Sequence, residues 1–181
     1  MPLSRRETGS LARQIGRASI AAAALALLGG ASSSSRLYRN EAMRVRAFEP
    51  PIGWEMAPQQ SYTRLLASYT HAGGGRLTLS AQKVAAGTSA HTLVAQSQPA
   101  LQRQGFADIH VQDEGPRARL EALLEGSKRF VKQVYVVDRD LAYVITLIAP
   151  QSAAPLMLRD FEDAVHSLQL GENAGAPAPA R

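Results

Sequence analysis

Short runs of alternating apolar and polar residues dominate the chain between positions 43 and 150. Alternation with a period of two places the apolar side chains on one face, so each run predicts a strand. Seven such runs occur: MRVRAFEP, YTRLLASYT, GRLTLSAQKV, IHVQ, RLEALLEG, RFVKQVYVV and LAYVITLIA. The last run is apolar on both faces, which is typical of a central strand covered on both sides.

Two segments have helical spacing instead. The first runs from Ala90 to Gln104, with apolar residues at Ala90, Leu93, Val94 and Leu101. Gly87-Thr88-Ser89 supplies residues that favour a helix start, Pro99 is expected to kink or break the helix, and Gly105 is a natural stop. The second segment, 155–170, places four apolar residues on one helical face: Leu158, Phe161, Val165 and Leu168.

The joints between the predicted strands are short. His71 to Gly75 and Asp138 to Asp140 have the composition of hairpin turns, and Gly53-Trp54 is expected to begin another turn. Hairpin-length joints imply an antiparallel sheet, with the helices packed against it. The fold class is therefore predicted to be α+β, an antiparallel sheet of about six to seven strands flanked by two helices.

Residues 1–31 have the pattern of a secretory signal peptide. Four Arg and one Glu precede Ala18, an apolar run of nine residues follows from Ile20 to Leu28, and small residues come next. A membrane span needs roughly 20 apolar residues, and Gly-Gly followed by four Ser disfavours a core helix. We expect cleavage near Ala31 and a periplasmic or secreted protein, an uncleaved and weakly membrane-anchored form being the alternative.

The folded part is expected to be one domain. Residues 32–42 are Ser/Arg-rich and predict a linker, residues 43–170 predict the α+β domain, and residues 171–181 predict a disordered tail with a Pro-Ala repeat. The chain has no Cys, which excludes disulfides, thiol nucleophiles and lipidation of an N-terminal Cys.

The charge distribution argues against a nucleic-acid partner. Residues 1–50 hold eight Arg and three Glu, a difference that accounts for the whole net charge of +5. Residues 51–181 carry twelve basic and twelve acidic residues, so the body of the protein is neutral. Nucleic-acid binding requires a clustered excess of Lys and Arg, and we expect no such partner.

Known catalytic and cofactor motifs do not appear in the sequence. The four His (His71, His91, His110 and His166) are not at metal-ligand spacing, and LEGSKRF lacks the second Gly of a nucleophile elbow. HAGGGRLTLS lacks the Gly-Lys-Ser/Thr of a phosphate loop. We therefore expect no catalytic residue, no cofactor and no metal.

A few residues are candidates for contact with a partner. Trp54, the only Trp, is expected either to plug the end of the sheet or to contact a partner. Lys128, Arg129 and Lys132 form a basic cluster that would attract an acidic partner. Several acids lie close by in sequence, so a solvated, salt-bridged surface is the favoured alternative for this cluster.

Several short motifs are spread over residues 43–170. Phe48, Pro51, Gly53 and Trp54 lie near the start, LQRQGF ends the first helix, and Gly126-Ser127, AYVITLIAP and DFEDAVHSLQL follow. Together with the order of elements, this pattern resembles the PsbP-like superfamily, which includes photosystem II extrinsic proteins and bacterial envelope proteins similar to DcrB. The resemblance implies an α-β-α sandwich that serves as a binding or assembly accessory without known catalysis.

The leading hypothesis is an exported, non-enzymatic accessory protein of the bacterial cell envelope that binds a protein partner. The alternative is a small envelope hydrolase whose residues come together only on folding, and a purely structural envelope component is a third option. A pocket lined by His110 or His166 with a Ser and an acid would favour the hydrolase, whereas an apolar groove would favour binding. The oligomeric state stays open.

Overall fold

A seven-stranded antiparallel sheet forms the centre of the computed structural model, which describes residues 36–58, 64–124 and 126–171. In chain order, the described elements are β1 (Tyr38–Asn40), β2 (Val45–Phe48), β3 (Trp54–Met56), β4 (Leu65–His71), β5 (Arg76–Lys83), α1 (Ala90–Arg103), β6 (Phe106–Asp113), β7 (Arg117–Leu124), β8 (Arg129–Asp138), β9 (Leu141–Pro150), α2 (Ala154–Ser167) and β10 (Gln169–Leu170). A 3-10 turn at Gln151–Ala153 precedes α2. The strand order in the main sheet is β3-β4-β5-β9-β8-β7-β6, and a small second sheet has the order β1-β2-β10.

The two helices pack on opposite faces of the main sheet, which we call the α1 face and the α2 face. Successive residues of a strand point to opposite faces. Phe130 of β8 accordingly joins the core that contains Phe161 of α2, while its neighbour Val131 joins the core that contains Leu93 of α1. The small sheet adds Val45 to the α2-side core. The result is a layered α+β fold with a core on each side of the sheet.

Helix α2 is held to the sheet by an apolar stripe at helical spacing. Its buried residues are Met157, Phe161, Ala164 and Val165. Burying a large apolar side chain contributes about 1.5–3 kcal/mol, so this stripe is the main reason that the segment is helical and docked here. Pro155 occupies the first turn, where a missing N–H costs no hydrogen bond.

Helix α1 begins and ends where local chemistry requires. The Ser89 hydroxyl accepts a hydrogen bond from the Thr92 N–H at 3.1 Å, which caps the first turn. Gly105 has a φ of +87°, a conformation that side chains other than Gly rarely adopt, and it stops the helix. Pro99 does not break the helix, although a break was one of the two expected outcomes. Proline has no N–H to donate to the Ala95 carbonyl, but Ala95 and Pro99 both lie on the exposed side of the helix, where water can satisfy that carbonyl.

The predicted fold class is confirmed: the sheet is antiparallel and two helices flank it. The hairpin between β4 and β5 also forms as expected, since the Gly74 N–H donates to the His71 carbonyl at 2.9 Å. β9, the run that is apolar on both faces, lies in the middle of the main sheet. Among described residues, neither helix has the length and apolar content needed to cross a membrane.

Three further details differ from the sequence-based predictions. Trp54 was expected in a turn but lies in β3, where it pairs with His71 across the sheet. The run MRVRAFEP provides β2 of the small sheet rather than a strand of the main sheet. Tyr38–Asn40, inside the expected 32–42 linker, forms β1 because Tyr38 pairs with Phe48. The expected signal peptide and all but the first residue of the expected tail lie outside the described residues.

Candidate functional site

A groove beside the start of α2 is the candidate functional site. Its floor is formed by β7 and β8, and its wall by α2 and the turn that precedes it. Leu123 and Phe130 lie in the floor, and Ala154 and Leu158 lie in the wall. The cavity has a volume of about 370 Å³, within the usual size range of small-molecule and side-chain pockets.

Strand register explains why these side chains meet. Leu123 pairs with Phe130 between β7 and β8, and paired residues of antiparallel strands share a face. Two residues along, Glu121 pairs with Lys132 in the same ladder. His110 of β6 pairs with Glu121 from the other side, so one row of three polar residues crosses three strands. This row forms a polar rim next to the apolar floor.

A bulge in β6 supplies the remaining rim residue. The register between β6 and β7 shifts between Ala107 and His110, and Asp108 has a φ of +49°. A bulge re-aims side chains, and Asp is among the residues that tolerate a positive φ. Asp108 consequently lines the groove together with His110.

An ion network runs from the groove rim to the middle of α2. Lys132 Nζ lies 2.7 Å from Glu121 Oε1 and 3.1 Å from Glu162 Oε1. Arg119 Nη1 donates to both oxygens of Glu162, at 2.7 and 2.8 Å, and its Nε donates to Glu114 at 2.6 Å. Glu162 therefore joins β7 and β8 to α2 through two cations.

The pKa of Glu162 reflects this position. Burial alone would raise it, but hydrogen bonds from Arg119 and Lys132 outweigh burial, and the pKa lies below its ordinary value. The carboxylate is therefore charged at neutral pH. Lys132, shared between two carboxylates, has only 13% of its side chain exposed and has little capacity left for an outside anion.

The residues predicted to contact a partner do not come together. Trp54 is 1% exposed, its Nε1 donates to Asp160 Oδ2 at 2.9 Å, and its ring lies 5.3 Å from that of His71. It plugs the sheet and offers no surface for an external contact. Arg129 donates to the Gly74 carbonyl at 3.0 Å, and Lys128 is exposed in the turn before β8. Only Lys132 of this set lines the groove.

The four His also lie apart. The ring of His71 contacts that of Trp54 at a tilted angle, and His91 Nδ1 lies 3.7 Å from Asp113 Oδ2. The Nδ1 of His166 bonds to a carbonyl of its own helix. His110 alone lines the groove. In the described ranges no three His, Cys, Asp or Glu side chains are grouped as metal ligands, and the described groove lining contains no Ser, Thr or Cys.

Sequence reasoning missed several residues of the groove and of the adjoining ion network. Phe130 and Leu123 lie in runs that were correctly predicted as strands, but the pairing of those runs was unknown. The available signal was alternation: Phe130 and Lys132 fall two apart, which places them on one face. Glu162 lies on the flank of the predicted apolar stripe, and no pattern in the sequence indicated that it would pair with cations of the sheet.

Comparisons with known proteins indicate the fold. No protein-family model matches the chain and no curated protein matches it. The solution structure of CyanoP, a cyanobacterial PsbP from Synechocystis, is similar with a TM-score of 0.54 and 13% identity, over 81% of this chain and 99% of CyanoP.

Two crystal structures are also similar. A Bacteroides thetaiotaomicron protein has a TM-score of 0.48 at 11% identity, over 71% of this chain and 46% of that one. A Pseudomonas aeruginosa protein of unknown function has a TM-score of 0.43 at 16% identity, over 80% and 97%. The likeness to CyanoP, together with the layered architecture, shows that this chain has a PsbP-like fold.

Proposed function

We propose that this protein is an exported, non-enzymatic accessory of the bacterial cell envelope, similar to DcrB-like proteins, and that it binds a protein partner in the groove beside α2. One observation carries the binding proposal: an apolar floor of Leu123 and Phe130 faces an apolar wall at Leu158, under a polar rim. Interface hot spots combine an apolar pocket with a polar surround.

The charges of the rim indicate the chemistry of the partner. Asp108 and Glu121 contribute two negative charges, and Lys132 contributes one positive charge that Glu162 shares. These three side chains therefore sum to one negative charge on the rim. A partner segment with an apolar side chain next to an Arg or Lys would match both surfaces: the apolar side chain would fit the floor and the basic one the acidic rim.

Matched variants of α2 test the groove. Leu158 lines it, whereas Leu156 on the same helix is 58% exposed and lies outside it. A partner would first be captured by the native protein from an envelope fraction and purified. Titration calorimetry would then measure its affinity for the native protein and for both Arg variants. We expect Leu158→Arg to weaken binding about 30-fold, as for a hot-spot residue, and Leu156→Arg to leave the affinity unchanged.

A charge variant tests the predicted basic side chain of the partner. Glu121→Lys should weaken binding, and the affinity of the native protein should fall as salt is added. Equal affinities for native protein, Leu158→Arg and Glu121→Lys would disprove binding in the groove. Export is tested separately by fractionating cells and sequencing the N-terminus; intact protein in the cytosol, starting at Met1, would disprove it.

The hydrolase alternative rests on His110, which lies in the groove with Asp108 and Glu121. A His beside a carboxylate is able to act as a general base. Hydrolysis of a small activated ester that is lost in His110→Ala, with the fold intact, would favour this alternative over partner binding.

A further inference from the structure

A second cleft lies on the α1 face, opposite the groove. Strands β5, β8 and β9 form its floor, and α1 forms one wall. Helix α1 packs mainly on β6, β7 and β8, which leaves the neighbouring part of this face open. The cleft has a volume of about 270 Å³, close to the lower end of the range for small-molecule sites.

The lining of this cleft is polar but almost uncharged. Each strand of the floor presents hydroxyl or carboxamide side chains, and α1 adds more. These residues are Ser80, Gln82, Gln96, Ser97, Gln133 and Thr146. Arg64 is the one charged residue in the described lining. Solvated protein surfaces normally carry Lys, Arg, Asp and Glu of both signs, so an open face made of neutral polar groups requires another explanation.

Hydrogen bonds hold part of this lining in place. The Tyr135 hydroxyl donates to Gln133 Oε1 at 2.7 Å, and Gln133 Nε2 donates to Thr146 Oγ1 at 3.1 Å. The Tyr135 residue is 3% exposed, and burial raises its pKa, so the hydroxyl keeps its proton. These two hydrogen bonds orient the Gln133 amide before any ligand arrives, which lowers the entropic cost of binding.

Other groups in the cleft have unused hydrogen-bonding capacity. Within the described parts of the chain, the carboxamides of Gln82 and Gln96 form no hydrogen bond. Each carboxamide has two donor hydrogens and one acceptor oxygen. They stand on opposite sides of the cleft, one on β5 and one on α1.

We propose that this polar cleft binds an uncharged polyhydroxylated ligand, a saccharide ring. A sugar hydroxyl is both a donor and an acceptor and carries no charge, which matches a lining of hydroxyls and carboxamides. A polyanion would require several cations, and the described lining offers only Arg64. The volume fits one sugar residue. This site is independent of the groove on the other face.

The test is a titration of the isotope-labelled full chain in which NMR signals of the backbone and side-chain amides are recorded at each step. The probes are glucose, galactose and N-acetylglucosamine, with triglycine and inorganic phosphate as comparison ligands. At least one sugar should shift the side-chain amide signals of Gln82, Gln96 and Gln133. Gln96→Ala and Gln82→Ala should each weaken binding about threefold to tenfold, the effect of losing one hydrogen bond.

Gln102→Ala is the matched control, because Gln102 is also an exposed Gln on α1 but does not line the cleft. It should leave the affinity unchanged. The proposal is overturned if no sugar shifts these signals at about 10 mM, ten times a Kd of 1 mM. It is also overturned if Gln96→Ala and Gln102→Ala behave alike, or if triglycine or phosphate produces the larger shifts.

Discussion

Replacing Glu162 by Gln removes the charge that joins α2 to the main sheet and keeps the shape of the side chain. The two cations that Glu162 bonds are largely buried, with 15% of Arg119 and 13% of Lys132 side chain exposed. A hydrogen bond to a charged group contributes about 1.5–3 kcal/mol. Glu162 is 32% exposed and both cations keep a second carboxylate, so we expect a loss of about 2 kcal/mol in the free energy of unfolding.

Urea unfolding followed by fluorescence measures this loss. Trp54 is the only Trp and is 1% exposed, so its emission reports on unfolding of the core. The pKa of Glu162 lies below its ordinary value of 4.5, which means that its stabilising effect is present above that pH. As the pH falls through the lowered pKa, the native protein also loses the charge. The difference between native and Glu162→Gln should therefore shrink in acid.

Glu121→Gln is the matched control. Glu121 bonds the same Lys132 but has 51% of its side chain exposed, so its loss should cost less than about 1 kcal/mol. Equal losses in the two variants would refute the argument that burial makes Glu162 the important partner. A difference between native protein and Glu162→Gln that is as large in acid as at neutral pH would refute the assignment to charge.

Three further predictions follow from packing, capping and burial. Gly75→Ala should destabilise by about 1–3 kcal/mol in urea unfolding, because its Cβ would lie 2.7 Å from Met157 Sδ and 2.9 Å from the Trp54 ring; an unchanged midpoint would contradict this packing. Ser89→Ala should cost about 1 kcal/mol through loss of the cap on α1, and Ser89→Gly much less; equal costs would argue against capping. Burial raises the pKa of three tyrosines: Tyr69, Tyr135 and Tyr143. Because the unfolded chain loses these protons first, the free energy of unfolding should fall as the pH rises above the ordinary tyrosine pKa of 10.0. An ultraviolet titration in which all five tyrosines ionise together would contradict this.

The parts of the fold that depend on local chemistry could be predicted from the sequence. The apolar residues on both faces of β9 predict its central position, and Ser89 and Gly105 predict the ends of α1. The position of Trp54 is not predictable in this way: Gly53 favours a turn locally, whereas the pairing of Trp54 with His71 depends on another strand.

The candidate site was harder to predict for the same reason. The row of His110, Glu121 and Lys132 exists only because three strands pair in one register. The bulge at Asp108 shifts that register by an amount that alternation alone does not reveal. Lys128, Arg129 and Lys132 are close in sequence, but Lys128 lies in a turn and Arg129 and Lys132 lie three apart in β8, on opposite faces of the sheet. No single basic patch results.

The small sheet also governs the order in which the protein can finish folding. β2 pairs with β10, and the Gly171 N–H donates to the Arg44 carbonyl at 3.1 Å. Among the strands that the structure describes, one of the first to be synthesised is therefore bonded to the last. Chains emerge from the ribosome N-terminus first at about 5–20 residues per second. β2 can pair with β1 at once, but it must wait several seconds for β10. During that interval the nascent chain lacks the β2–β10 pairing, and β2 is accessible to any factor that binds unfolded polypeptide.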